Sequence, residues 1–91
     1  MKRFELKPEF MVYIPEDIEE GILYISESLW VTIHLCACGC GNKVVAPLDI
    51  STGWVLTHND DSTVSLSPSI GNFDFPCKSH YFIKNNKVEW C

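Results

Sequence analysis

Apolar and polar residues alternate through this chain in short runs, and the period of the alternation is two rather than 3.6 residues. Thr63-Val64-Ser65-Leu66-Ser67 places Val64 and Leu66 on one face and hydroxyls on the other, as a strand with one buried face requires. Runs of the same kind, rich in β-branched and aromatic residues, occupy residues 10–14, 22–26, 29–35, 43–48, 54–58, 81–84 and 87–90, and each predicts a strand. Turn-forming residues separate them. Asn59-Asp60-Asp61-Ser62 joins two runs into a hairpin, and Asn85-Asn86 joins the last two through a turn that tolerates positive φ. Pro47 blocks one strand, which suits an edge or a strand end. The acidic stretch from Pro15 to Gly21 predicts one or two helical turns, with proline at the first position and glycine as a left-handed cap. The expected architecture is all-β: a small single domain over residues 1–91, with about six to eight short antiparallel strands and hairpins and minimal helix.

Size and composition narrow the function classes. A chain of 91 residues buries a smaller fraction of its surface than a larger one, and a bound metal is a common supplement to so small a core. With 46% hydrophobic residues the chain is too apolar to be disordered, yet no run approaches the ~20 apolar residues of a membrane span. The formal charge of −5, with seven basic residues scattered along the chain, offers no basic stripe for nucleic acid. Met1-Lys2-Arg3 is followed directly by alternating residues without an apolar h-region. No signal peptide is expected, and the reading is a cytoplasmic protein with reduced thiols.

The cysteines then carry the argument. Three of the five crowd into His34-Leu35-Cys36-Ala37-Cys38-Gly39-Cys40-Gly41, and a second cluster, Cys77-Lys78-Ser79-His80, follows Pro76. Two ligand-dense clusters separated by a long excursion form a zinc-site pattern. On an extended strand the first and third of these thiols would lie ~13 Å apart. Gly39 and Gly41 supply the positive φ that folds the segment back. The candidate ligands are Cys36, Cys38, Cys40, Cys77 and His80, one more than a closed tetrahedral site needs. Four thiolates leave His80 free; two thiolates of the first cluster with Cys77 and His80 leave a spare thiol. Inert buried cysteines and an iron–sulfur cluster are the competing readings of the same residues. His34 reads as a strand histidine beside the site, His58 as a surface residue and Cys91 as an exposed free thiol.

The runs YIPEDIEEGILYIS (residues 13–26), HLCACGCGNKVVAPL (34–48) and VSLSPSIGNFDFPCKSHYFIKNNKVEW (64–90) resemble a small, largely bacterial family of β-rich domains that carries a domain-of-unknown-function label. The resemblance implies zinc binding. It also implies genomic company with ubiquitin-like proteins and their activating enzymes, and so a protein partner of that kind.

Two functions follow as expectations. One is a zinc-stabilised adaptor module that binds a ubiquitin-like protein or its activating enzyme. The other is a small Ser/His hydrolase that removes a ubiquitin-like tag and carries a structural zinc, with Ser69 as nucleophile and His80 as base. Ser67 and Ser79 lie nearby in sequence, and serines in such loops more often bond their own backbone. The two functions divide on His80. As a zinc ligand it is lost as a base; within reach of Ser67 or Ser69 it favours the hydrolase.

Overall fold

The computed structural model describes residues 2–73 and 75–91. Among these residues eight strands form two four-stranded sheets, β1 (Lys7–Phe10), β2 (Ile22–Ser26), β3 (Val31–Leu35) and β4 (Lys43–Pro47) in the first, β5 (Val55–His58), β6 (Val64–Gly71), β7 (His80–Lys84) and β8 (Lys87–Trp90) in the second. Each sheet runs in chain order. All neighbouring pairs are antiparallel except β1 with β2, which is parallel. The period-two pattern explains the packing. Val64, Leu66, Tyr81, Ile83 and Val88 of the second sheet bury the same faces that face Leu23, Ile25, Val44 and Ala46 of the first, in one shared core.

Turn chemistry fixes the register. Asn85 and Asn86 adopt φ of 52° and 66°, the left-handed pair that a two-residue hairpin between right-twisted strands demands. Asn86 Oδ1 then accepts the Val64 amide at 2.8 Å, tying this turn to β6. The sheets are joined by the turn after β4, where Trp54 donates its amide to the Pro47 carbonyl and accepts the Asp49 amide. Gly53 is needed there because a Cβ would run into the Pro47 carbonyl.

Two sequence expectations are corrected. Residues 15–21 form no helix; the segment is irregular until Gly21, at φ 82°, turns it into β2. A stretch this short forms too few hydrogen bonds to offset helix nucleation, and the amide of Glu19 bonds the Tyr24 hydroxyl instead. The first strand lies at Lys7–Phe10 rather than residues 10–14, and Val12 and Tyr13 stay exposed beyond it. The register Lys7↔Ile22 through Phe10↔Ile25 pairs the first residue of that run with Ile25, and β2 ends at Ser26. No helix among the described residues is long and apolar enough to cross a membrane.

Candidate functional site

The first cluster leaves the end of β3 and reverses at once. Cys36 donates its amide to the Asn42 carbonyl and Gly39 donates to the Cys36 carbonyl, while Gly39 and Gly41 take φ of 88° and 84°. Cys77 arrives from the opposite side on a tight turn closed by the Lys78 amide and the Phe75 carbonyl at 3.0 Å. Lys78 itself is left-handed, at φ 47°, a feature that nothing in the sequence announced.

The sulfurs of Cys36, Cys38, Cys40 and Cys77 lie within 4.8 Å of one another. Closest approaches are 3.4 Å for Cys36–Cys38, 3.7 Å for Cys40–Cys77 and 3.9 Å for Cys36–Cys77. A tetrahedral ion with Zn–S bonds near ~2.3 Å needs sulfurs about 3.8 Å apart. The donor set fits a metal ion.

Polar groups converge on the same sulfurs. Ser79 Oγ lies 3.0 Å from Cys36 Sγ and 3.5 Å from Cys77 Sγ. Asn72 Nδ2 donates to Ser79 Oγ and to Cys36 Sγ, and Asn42 Nδ2 donates to Cys40 Sγ at 3.3 Å. Such contacts orient metal-bound thiolates. The Ser79 hydroxyl and amide hold the Cys77 thiol down at about 6, whereas burial, together with Cys40 and Cys36, pushes Cys38 up to about 12. A dication at the centre favours the thiolate at all four.

His80 stands apart from the sulfurs. Its Nε2 lies 2.7 Å from Ser69 Oγ, and its ring packs edge-on against Phe73 at 5.3 Å. The local cause is an irregularity in the β6–β7 ladder. Leu66 pairs with Ile83 and Ile70 with Tyr81, so Ser67, Pro68 and Ser69 face Phe82 alone. Two extra residues bulge from the strand, and bulges of this kind re-aim side chains beside functional sites. Pro68 has no amide to give to a ladder. On β7, Tyr81 and Ile83 point into the core, which leaves His80 and Phe82 on the outer face with Ser69. Trp54 Nε1 donates to the Ser69 carbonyl at 3.3 Å. Of the three serines the sequence singled out, Ser67 is exposed, Ser79 turns inward to the thiols, and Ser69 meets the imidazole.

The arrangement joins a thiol cluster to a serine–imidazole pair through very few residues. Cys77 is three positions before His80, and the Asn72 amide donates to the Ser79 carbonyl at 2.8 Å. Asn72 was not legible as a site residue, since an asparagine in a loop carries no motif.

His34 lies fully buried on β3, its Nε2 2.7 Å from the Tyr81 hydroxyl and its Nδ1 without a partner among the described residues. Burial lowers its pKa from 6.5 to about 4. The unfolded chain therefore binds this proton more readily than the folded one, so stability is intact above pH 6.5 and declines as pH falls toward 4, by roughly 3 kcal/mol in all. Urea midpoints at saturating zinc across that range check this. His34→Gln should lose this part of the decline, and identical pH dependence in both proteins would contradict it.

His58 ends β5 and is exposed, its Nε2 3.1 Å from Glu27 Oε2, and Cys91 is exposed.

No match was found among curated proteins or among solved structures. A family model described as bacterial ubiquitination-like system serine protease (BubE) matches residues 10–91. The resemblance noted in the sequence carried no activity; this family is described by one. Since the match spans nearly the whole chain, the chain belongs to the BubE family of bacterial ubiquitination-like system serine proteases.

Proposed function

We propose that this protein is a zinc-stabilised serine peptidase that cleaves a ubiquitin-like protein at its C-terminal junction, with Ser69 as nucleophile and His80 as general base. The observation that carries the reading is the 2.7 Å contact between Ser69 Oγ and His80 Nε2, within the reach required of a nucleophile and its base. The family description supports both the serine chemistry and the ubiquitin-like context.

In the acylation step His80 Nε2 takes the Ser69 hydroxyl proton as Oγ bonds to the scissile carbonyl carbon. The same proton then passes to the departing amine as the C–N bond breaks. A water, deprotonated by His80, then bonds to the acyl carbon; the Oγ–C bond breaks, His80 returns the proton to Ser69 Oγ, and the acyl group leaves as a carboxylic acid that ionises. Trp54 fixes the Ser69 carbonyl during these steps.

Zinc on Cys36, Cys38, Cys40 and Cys77 supplies folding stability rather than a reaction step, because four thiolates close the coordination shell. His80 then remains available as base. The adaptor reading drew its strength from His80 as a ligand and gains nothing from its place beside Ser69.

The test is a ubiquitin-like protein fused through its C-terminus to a passenger, incubated with the purified chain. Release of passenger, blocked by a sulfonyl fluoride, is expected; a fusion left intact by the zinc-loaded protein would overturn the reading.

A further inference from the structure

Three large apolar side chains remain in solvent around one groove: Trp30 is 70% exposed, Ile50 90% and Val55 40%. The groove has a volume of about 260 Å³; these residues line it together with Trp54, and Glu27 and Asp49 add two carboxylates. Soluble proteins seldom leave such a contiguous apolar patch open without a use for it. Trp30 is also strained. Its φ of 56° is an outlier for a bulky residue, and strain of this kind gathers at ligand sites. A hydrogen bond from the Leu48 amide to the Trp30 carbonyl, at 2.8 Å, holds it there.

The groove is continuous with the serine. Trp54 is its wall and at the same time the donor to the Ser69 carbonyl, and Val55 pairs across the ladder with Ser67. Strand β5 is an edge of the second sheet, open to an added extended chain. The opposite edge, β8, is covered by residues 4–6: Leu6 donates to the Asn86 carbonyl and Val88 donates to the Phe4 carbonyl. The charge in the groove is negative. Among the described residues Glu27 pairs with a histidine, His58, and with no other cation, and Asp49 accepts from the hydroxyls of Ser51 and Thr52 and the Ser51 amide.

Resting on the serine-peptidase reading, we propose that the groove of Trp30, Ile50, Trp54 and Val55 docks an extended segment of the protein substrate that carries a bulky aliphatic side chain beside a basic one. The apolar walls take the aliphatic group, and Glu27 with Asp49 takes the cation. The occupant lies along β5 and leads to Ser69.

The test uses two probes. Binding of a hexapeptide amide with adjacent Leu and Lys to the zinc-loaded Ser69→Ala protein, followed by calorimetry, reads the groove. Turnover of p-nitrophenyl acetate by the Ser69 protein, a substrate too small to need the groove, reads the serine. Ile50→Ser, at a fully exposed position, is expected to weaken the peptide about tenfold and to leave ester turnover unchanged. Glu27→Gln should weaken the Lys peptide and not its norleucine counterpart. Equal affinity in the Ile50→Ser protein, or for a peptide with Glu in place of Lys, would overturn the proposal. So would self-association in sedimentation that Ile50→Ser abolishes, since a second copy would then own the patch. An absent ester turnover with peptide binding intact counts against the serine reading and supports the groove as a docking site.

Discussion

Ser69→Ala is expected to lower kcat/KM for tag cleavage by at least about 10³-fold, roughly 4 kcal/mol of transition-state stabilisation, with zinc content and the circular dichroism spectrum unchanged. The Ser69 hydroxyl contacts the His80 imidazole, and the carbonyl that Trp54 holds is backbone. Alanine therefore removes the hydroxyl proposed as nucleophile and little else. His80→Ala should cost a similar factor, and the double variant should be hardly worse than either alone, because a nucleophile and its base act as a unit. Ser67→Ala is the control. Ser67 is exposed and pairs through its backbone with Val55, so its removal should leave cleavage within about twofold. Rates fitted from the same fusion substrate for the parent and the four variants check this; a Ser69→Ala enzyme within tenfold of the parent would exclude the serine as nucleophile.

Removing the metal should largely unfold the protein. Structural zinc contributes on the order of 10 kcal/mol in small peptides, comparable with the whole stability of a small domain. Here the four thiols tie the end of β3 to the segment just before β7, beside the side-chain contact of His34 with Tyr81. Cys77→Ser should lose zinc together with the fold, whereas Cys91→Ser, at an exposed thiol outside the cluster, should change neither. Activity should vanish with the metal as well, since His80 begins the strand that Cys77 anchors. Thermal melting before and after treatment with a strong chelator is the check. A midpoint that hardly moves would contradict the structural role.

The strands and the thiol cluster were largely legible because each is written locally. Alternation in residues 63–67 fixes which face of β6 is buried, and the glycines among Cys36, Cys38 and Cys40 permit the reversal that gathers them. Asn85-Asn86 specified its turn for the same reason. The parallel pairing of β1 with β2 was not legible, because it depends on a partner chosen across an irregular connection rather than on a hairpin. Residues 10–14 misled because their apolar character serves a surface rather than a strand: Val12 and Tyr13 are exposed.

The serine site was half legible. Ser69 and His80 were named as a pair, but local rules favoured backbone-bonded loop serines. What changed the balance is the bulge of residues 67–69 opposite Phe82, a consequence of register on a neighbouring strand. Pro68 within an alternating run was the one available signal that the ladder would break there. The bond from Trp54 to the Ser69 carbonyl, across 15 positions, had no local signature.

The claim that Ser69 is an activated nucleophile beside His80 is tested most directly by mass spectrometry of the zinc-loaded protein after reaction with a fluorophosphonate. The account predicts one adduct per chain, mapped to Ser69 and absent from the His80→Ala protein. An unmodified Ser69, or an adduct on Ser67 or Ser79 instead, would contradict it.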